Sequence, residues 1–410
     1  MILFQINSIA NSGSTGRIAE NIAKYVQTQG WQCYTAYGRW CNPSKTHLIR
    51  IGNKLSVYFH YFLSRVFGLH GLASKHATRS LIKEIERIHP DIIHLHNIHG
   101  YYLNYPLLFQ FLSTHNYPVV WTLHDCWAYT GHCSHYTSSK CSKWLSRCYK
   151  CPNLSCYPVS FIDNSRLNFR LKSYYFNMVH NIAIVPVSNW LAKELHKSFL
   201  KNNRIIPIPN GVDTSIYKPI DSHVRDKYSI GSGFMVLAVA TWWTKAKGFE
   251  DYIQIANLVD KDVIIVMVGV SPKQKRMLPS NIIGIPRTEN ITELVQLYSA
   301  ADIFVNFSIE ESYGLTTAES LSCGTPVVVY NSTACPDIVT PDVGFIVTSH
   351  NLEEANCAIN KVKVMGKTYY TNKCRQYAID YLDDSLCYGR YLSLYNELLT
   401  NEDINHNCNL

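Results

Sequence analysis

The segment 310–329, EESYGLTTAESLSCGTPVVV, concentrates residue types that can bind a phosphorylated, hydroxyl-rich ligand. Glu311 and Glu319 stand eight positions apart and flank a Gly-Leu pair at the predicted start of a helix. The backbone amides at a helix start can face phosphate, and carboxylates accept hydrogen bonds from hydroxyl groups. This arrangement suits a nucleotide sugar. The alternative is that both glutamates are ordinary surface residues of a helix.

A second set of polar residues follows strands that we predict in the first half of the chain, at residues 92–96 and 119–123. Ligands of wound parallel sheets gather at the carboxyl ends of the strands, and a neutral imidazole there can hydrogen-bond a sugar hydroxyl. A single histidine is more often structural, so the residue types alone leave the choice open. The residues at these strand ends are His94, His96, Asn97, His124 and Asp125.

Cysteines form a third group, because six of the 14 fall between Cys126 and Cys156. Without a secretion signal we expect reduced thiols, so the clustering favours a metal over disulfides. The CxxC pair Cys148 and Cys151, with Cys133 and Cys141, predicts a tetrathiolate for structural zinc away from the reaction. Free thiols in a loop are the alternative, and Cys126, Cys156, His132 and His135 are substitute ligands.

The elements that position these residues form an α/β chain of two domains, since 410 residues exceed one ordinary core. Strands alternate with helices in both halves, which predicts two doubly wound parallel sheets. The turn-rich segment 207–213 connects them. We place the first domain at 1–205, with a Cys-rich insertion at 126–156 and a returning C-terminal helix at 385–410, and the second domain at 206–384.

Charge is distributed unevenly along the chain. Residues 1–205 hold 22 Lys and Arg against 7 Asp and Glu, or +15, whereas residues 206–410 hold 16 against 23, or −7. The first half should therefore seek an anionic partner such as lipid headgroups, a pyrophosphate-linked acceptor or nucleic acid, unless it is simply a solvated surface. The apolar stretch 55–72 is either an interfacial helix pressed onto a membrane or a core helix. With no signal peptide and no membrane span in the sequence, we expect a cytoplasmic protein.

The string 310–329 resembles the retaining glycosyltransferases of family four, and other landmarks of that family follow in the right order. The resemblance implies a GT-B fold, in which two Rossmann-like domains face each other across a cleft. It implies that Glu311 contacts the donor sugar and Glu319 the ribose, that Lys247 neutralises the leaving diphosphate, and that His124 lies beside the reacting bond. It implies an amino-terminal glycine loop that contains Gly16 and Arg17. The further donor-binding residues that it implies are Gly16, Arg17, Asn210, Lys245, Gly314, Leu315 and Thr316.

The string 121–133, WTLHDCWAYTGHC, is similar to a subgroup that builds colanic-acid-like capsules and O-antigens. The resemblance implies a retaining, metal-independent hexosyltransferase without a catalytic cofactor, since no D-x-D motif stands where a metal would bridge the phosphates. It implies a nucleotide-diphosphate sugar as donor and a lipid-pyrophosphate-linked saccharide as acceptor, reached from the cytoplasmic side at an anionic plasma membrane. One departure is Trp242, which stands where the family usually has an arginine; Lys245 or Arg17 compensates, or the diphosphate is held differently.

Three other functions remain as alternatives. A nucleotide-sugar epimerase and a sugar phosphorylase share this fold. A zinc-containing nucleic-acid-binding protein would account for the basic half and the cysteines, but it leaves residues 310–329 unexplained and has no recognisable reading helix. We therefore expect no nucleic-acid partner.

Overall fold

The computed structural model describes residues 1–407, with side chains described to residue 400. The chain forms two compact units, Met1–Pro209 with the segment from Tyr388 onward, and Asn210–Cys387. The sequence places the division a few residues earlier, between 205 and 206. Of the predicted terminal helix 385–410, residues 408–410 lie outside the described part of the chain.

The first unit contains a parallel sheet of seven strands within the described residues, in the order β3-β2-β1-β4-β5-β6-β7. Its central strands are buried along their whole length, which is typical of a sheet covered on both faces. The strands are β1 (Ile2–Asn7), β2 (Gln32–Tyr37), β3 (His47–Arg50), β4 (Ile92–Leu95), β5 (Val119–Leu123), β6 (Ile182–Pro186) and β7 (Arg204–Ile205).

Helices connect these strands and cover the sheet. They are α1 (Gly13–Gln27), α2 (Lys54–Phe67), α3 (Lys75–Ile88), α4 (Tyr105–His115), α5 (Ser165–Phe176) and α6 (Asn189–Leu195). The connection from β5 to α5 holds the predicted Cys-rich insertion, whose regular structure is limited to the 3₁₀ turns Trp127–Tyr129 and Lys143–Leu145. An insertion this poor in regular structure has few backbone hydrogen bonds of its own to hold it.

The second unit contains a parallel sheet of six strands in the order β10-β9-β8-β11-β12-β13 among the residues described. Its strands are β8 (Phe234–Val239), β9 (Val263–Val268), β10 (Ile282–Ile285), β11 (Ile303–Asn306), β12 (Val327–Tyr330) and β13 (Gly344–Val347). Its helices are α7 (Val224–Lys227), α8 (Phe249–Ile255), α9 (Pro272–Lys275), α10 (Ile291–Ala300), α11 (Leu315–Ser322), α12 (Leu352–Met365) and α13 (Lys367–Tyr377). The long helix α14 (Asp384–Asn407) follows, and from Tyr388 onward it belongs to the first unit.

Helix α14 packs on the first sheet through tyrosines. The hydroxyl of Tyr395 lies 2.6 Å from Nδ1 of His94, and that of Tyr391 lies 2.9 Å from Oγ1 of Thr122. Both tyrosine side chains are fully buried. The end of the chain therefore completes the core of the unit in which the chain begins.

Two wound parallel sheets confirm the predicted fold class. Strands β2, β3, β7 and β10 were not predicted from the sequence. The first sheet's outer strands are short or partly exposed, as the exposed residues of β3 show, so they lack the apolar run that marks a central strand. Within the described residues, none of the helices combines the length and apolar content that crossing a bilayer requires.

Candidate functional site

In the second unit, two loops bring Lys247 and Glu311 into contact. The loop after β8 ends in the 3₁₀ turn Lys245–Lys247, and Glu311 lies in the loop after β11. Because β8 and β11 are neighbouring parallel strands, their carboxyl ends meet at one edge of the sheet. The amide of Ile309 donates to the carbonyl of Ala246 at 2.9 Å, and Nζ of Lys247 lies 2.5 Å from Oε1 of Glu311.

Gly248 allows this close approach of the two loops. Its φ of +75° lies in the left-handed region. A Cβ at this position would come within 2.5 Å of Phe307, the first residue after β11. On the other side, the amide of Glu311 donates to Oγ1 of Thr333 at 2.9 Å. Hydrogen bonds of the backbone therefore fix the two loops that carry the ion pair. Both charged side chains keep part of their surface open to a ligand.

Helix α11 begins beside Glu311 and supplies free amide groups. Gly314, with φ +100°, precedes the helix, and the amides of Thr317 and Ala318 already bond to its carbonyl. The amides of Leu315 and Thr316 belong to the first turn, whose N–H groups have no intrahelical partner. They are placed to bind phosphate or a sugar oxygen.

Glu319, one turn further on, is oriented by a buried phenol. The hydroxyl of Tyr298 donates to Oε2 of Glu319 at 2.8 Å, and the Tyr298 side chain is fully buried. Burial, with the nearby carboxylate, raises the pKa of Tyr298 well above its ordinary value, so the phenol stays protonated as a donor. Glu319 therefore presents a fixed carboxylate that can accept ribose hydroxyls.

The two tryptophans after β8 have different environments. Trp243 is buried, and its Nε1 donates to the carbonyl of Val268 at 2.8 Å. Trp242, which replaces the family arginine, is 76% exposed, and Lys245 is exposed nearby. Trp243 thus serves packing, whereas Trp242 offers a free aromatic surface at the strand end.

Asn210 stands at the start of the second unit. The next residue, Gly211, packs so tightly against Asp384 that a Cβ there would meet its Cα at 2.3 Å. Oδ1 of Asn210 is buried without a hydrogen-bond partner among the described residues. The predicted donor-binding residue is therefore an unsatisfied acceptor, and none of the described hydrogen bonds joins its side chain to Lys247 or Glu311.

In the first unit, His124 follows β5 and joins a buried chain of hydrogen bonds. Its Nε2 lies 3.2 Å from Nδ1 of His96, whose Nε2 lies 2.8 Å from Oε1 of Gln5. Nε2 of Gln5 in turn donates to the carbonyl of Ala19 at 2.9 Å. His124 also lines a small cavity of about 10 Å³ together with His96, His99, Asp125 and Trp127.

This series of hydrogen bonds determines which ring nitrogens of His96 and His124 carry a proton. Because the Gln5 amide nitrogen donates to Ala19, its oxygen faces His96 and must accept from Nε2–H. Burial lowers the pKa of His96 well below its ordinary range, so this ring is neutral and its Nδ1 accepts from Nε2–H of His124. Burial also lowers the pKa of His124 to about 4. His124 is therefore neutral at pH 7, and its Nδ1 remains as a hydrogen-bond acceptor.

Asp125 carries the negative charge of this region. Its Oδ2 lies 2.9 Å from Nε2 of His99, and its Oδ1 accepts from the amide of Trp127 at 2.8 Å. Burial by itself would raise the pKa of Asp125, but His99 and the backbone bond outweigh it and lower the pKa to about 2. The carboxylate is ionised and already occupied by protein donors.

The sequence predicts that Gly16 and Arg17 lie in a loop, and this prediction is wrong. Helix α1 already begins at Gly13, so both residues lie within its first turns. Arg17 is exposed, and its Nε donates to the carbonyl of Gly13 at 3.1 Å. The helix begins earlier than predicted because its N-cap is Ser12, so the loop after β1 contains only residues 8–12.

The Cys-rich insertion gathers the four predicted thiols around one cavity. Cys133, Cys141, Cys148 and Cys151 line a small cavity of about 10 Å³, together with His132. Beneath it, Nζ of the fully buried Lys172 donates to the carbonyls of Trp127 and Thr130 at 2.6 and 3.0 Å. Over the described residues, however, no three His, Cys, Asp or Glu side chains are arranged to hold a metal ion as they stand.

The one D-x-D string in the second unit, Asp260 with Asp262, lies before β9 rather than at the carboxyl edge. Both carboxylates bind Nζ of Lys363, at 2.8 and 2.6 Å. This ion pair fixes α12 to the strand start. The string is structural in this fold.

Two family models match the chain side by side. The model described as Glycosyltransferase Family 4 matches residues 15–216, and the model described as Glycosyl transferases group 1 matches residues 225–380. Among curated relatives, a putative colanic acid biosynthesis glycosyl transferase, WcaC, from Escherichia coli strain K12 is 24% identical over 271 residues. That match covers 64% of this chain and just under two thirds, 65%, of the relative.

Solved structures match over nearly the whole chain. A glycosyltransferase from Rickettsia africae ESF-5 has a TM-score of 0.70 at 17% identity, covering 98% of this chain and 99% of the other. Anabaena Alr3699/HepE in complex with UDP-glucose has a TM-score of 0.64 at 15% identity, covering 97% and 100%. At these identities the likeness concerns the fold.

Proposed function

The chain belongs to glycosyltransferase family 4, and on that premise we propose that it is a retaining, metal-independent hexosyltransferase of surface polysaccharide synthesis. The observation that carries the proposal is the Lys247–Glu311 pair, held at the carboxyl edge of the second sheet beside the free amides of α11. A cation, helix amides and a carboxylate on one strand edge suit a ligand with a diphosphate at one end and sugar hydroxyls at the other.

In the reaction that we propose, the bond between the anomeric carbon and the diphosphate oxygen breaks, and its electron pair leaves with the phosphate. The acceptor oxygen attacks from the same face, and its proton passes to the departing phosphate oxygen. Lys247 with the amides of Leu315 and Thr316 stabilises the developing negative charge. Glu311 orients the sugar, and Glu319 binds the ribose.

We assign His124 a place beside the reacting sugar, as the resemblance to the family implies. Its neutral imidazole would accept a hydrogen bond from a sugar hydroxyl through Nδ1 without adding positive charge beside the oxocarbenium-like sugar. The exposed ring of Trp242, and Lys245 beside it, would take over part of the role of the missing arginine. Gly16, Arg17 and Asn210 complete the donor site in this proposal.

The proposed donor is a nucleotide-diphosphate sugar, which agrees with UDP-glucose bound in the Anabaena structure. The proposed acceptor is a lipid-pyrophosphate-linked oligosaccharide at the inner face of the plasma membrane, consistent with the relative's part in colanic acid biosynthesis. Group 1 glycosyltransferases generally need no catalytic cofactor. Capsule, O-antigen and exopolysaccharide are the polymers that this acceptor class would build.

We expect the purified chain to lengthen a lipid-pyrophosphate saccharide by one hexose, with the anomeric configuration of the donor and undiminished rate in EDTA. The measurement is mass spectrometry and proton NMR of the product over a panel of UDP- and GDP-sugars. Donor consumed without acceptor would indicate an epimerase. An inverted product or loss of transfer in EDTA would contradict the mechanism.

We further propose that Cys133, Cys141, Cys148 and Cys151 bind structural zinc once their side chains rotate inward. Two features support this: the thiols share one cavity, and Nζ of the buried Lys172 bonds only to carbonyls among the hydrogen bonds described for it. Burial lowers the pKa of Lys172, and a zinc tetrathiolate, which carries net negative charge, would favour its protonated form. It would also hold an insertion that has little regular structure of its own.

Accordingly, we expect the protein to carry near-stoichiometric zinc, and Cys148→Ser to lose it and to lower the melting temperature of the first unit. Elemental analysis and thermal unfolding with and without a chelator measure both effects. Cys357→Ser, which removes an exposed thiol of the second unit, is the matched control. A zinc-free protein whose unfolding is insensitive to the chelator would rule the site out.

A further inference from the structure

Helix α2 exposes its apolar side chains to solvent. Of its side chains only His60 and Ser64 are buried, whereas six of its large apolar residues are 42% to 78% exposed and the others are half-buried. A surface helix normally buries its apolar stripe and exposes its polar one, so the orientation of α2 is inverted. The exposed residues are Leu55, Tyr58, Phe59, Tyr61, Phe62 and Phe67.

The inversion is built into the fold. Asn53 and Ser56 cap the start of α2 reciprocally. On the inner side, Nδ1 of His60 lies 2.8 Å from Oγ of Ser74, and its Nε2 accepts from the amide of Gly71 at 3.1 Å. The polar side of the helix is thus fixed to the first unit by hydrogen bonds, which holds the apolar side outward.

A neighbouring loop extends the apolar surface. Phe161 and Ile162 are 70% and 47% exposed, and the amide of Phe161 donates to the carbonyl of Arg65 at 2.8 Å. The guanidinium of Arg65 lies over the Phe161 ring, 5.1 Å from its centroid. We call the surface formed by α2 and residues 161–162 the α2 face. A continuous exposed apolar patch of this kind marks an interaction site.

The charge of the chain segment that contains α2 favours an anionic partner. Residues 21–83 contain no Asp or Glu and nine Lys and Arg, among them Lys54 and Arg65 on α2 itself. Aromatic side chains flanked by basic residues on a helix too short to span are typical of helices that lie in the interface of an anionic bilayer. A solvated surface would not need the phenyl rings.

We propose that the α2 face docks the first unit onto an anionic lipid bilayer, with the rings of Phe59, Phe62 and Phe161 among the acyl chains and Lys54 and Arg65 at the phosphates. This goes beyond the proposed transfer reaction, which it does not require. If transfer rests on a lipid-linked acceptor, the same contact brings the first unit to the plane in which the acceptor lies.

Co-sedimentation of the full chain with vesicles tests the docking. We expect binding to vesicles of phosphatidylcholine and phosphatidylglycerol, weaker binding in high salt, and little binding to phosphatidylcholine alone. The triple variant Phe59→Ser, Phe62→Ser, Phe161→Ser should lose ~10-fold or more of the partition coefficient. Because these side chains are exposed, its circular dichroism and melting temperature should be unchanged.

The matched control is Val364→Ser with Met365→Ser, which removes exposed apolar side chains from α12 in the second unit. This control should bind vesicles like the parent chain. Equal binding by the triple variant would overturn the proposal. So would a parent chain that is a dimer in solution and becomes a monomer in the triple variant, because the α2 face would then be an interface between two copies. Transfer to a water-soluble acceptor analogue reports the reaction separately from docking.

Discussion

Glu311→Gln is expected to lose about 10²- to 10³-fold of the transfer rate, the scale seen when one preorganised polar group is removed from a site of developing charge. The substitution keeps the shape of the side chain and removes its charge. Glu311 can then no longer hold the sugar with a full carboxylate as positive charge grows on the anomeric carbon. Steady-state kinetics with saturating acceptor measure the loss.

The same substitution should leave nucleotide-diphosphate binding intact or make it tighter. Glu311 forms an ion pair with Lys247 at 2.5 Å, so a phosphate must compete with a carboxylate for the ammonium group. Removing that carboxylate frees the lysine for the phosphate. Isothermal titration with UDP and GDP measures the affinity, and an unchanged melting temperature shows that the fold persists.

Glu353→Gln is the matched control for Glu311→Gln, because it removes one exposed carboxylate from α12 in the same unit. It should transfer sugar at the parent rate. Full transfer activity in Glu311→Gln would contradict the assignment of the site. Loss of nucleotide binding together with transfer would show that Glu311 supports the fold of the loop rather than the reaction.

The sequence predicts the elements of the second unit around residues 310–329 well, because the motif and the elements it marks are adjacent in the chain. Residues 310–329 form a loop, a helix start and a strand in direct succession, so motif and structure coincide. The contact between Lys247 and Glu311 is not local, since 64 positions separate them. This contact forms because β8 and β11 are neighbours in the sheet, and strand order cannot be derived from a single sequence.

In the first unit, sequence reasoning proposes His124 but misses the residues that position it. His96 directly follows β4, 28 positions from His124, and Gln5 lies on β1, 91 positions from His96. Gln5 did carry a signal, because it is a polar side chain between apolar residues of β1. A buried amide must find partners, and this one fixes a histidine tautomer.

Helix α2 shows a second limit of pattern reasoning. The apolar periodicity of residues 55–67 is compatible with a core helix and with an interfacial one, because periodicity gives the width of a stripe but not its direction. The direction depends on partners such as Ser74 and Gly71, which follow α2 in the chain and bind His60. Only the folded contacts decide between the two.

His124→Ala is expected to lower transfer about 10²-fold or more, the lower part of the range for a positioned side chain that takes part in proton or hydrogen-bond transfer. The loss should fall on the rate at saturating donor, since we place the imidazole at the reacting sugar and not at the phosphates. His196→Ala, which removes an exposed imidazole of the same unit, is the matched control and should be unaffected.

The proton assignment makes this prediction more specific. Nitrogen-15 NMR should show His124 neutral at pH 7, with its proton on Nε2 and a bare Nδ1, and protonated only near pH 4. In Gln5→Leu, His96 loses the acceptor that fixes its own tautomer, so the Nδ1-protonated form of His124 should become populated and transfer should fall less than in His124→Ala. A merely structural role for Gln5 would lower stability without moving the nitrogen signals. A parent protein with its His124 proton on Nδ1 would show that the imidazole donates to the sugar, and the role given to this residue would be reversed.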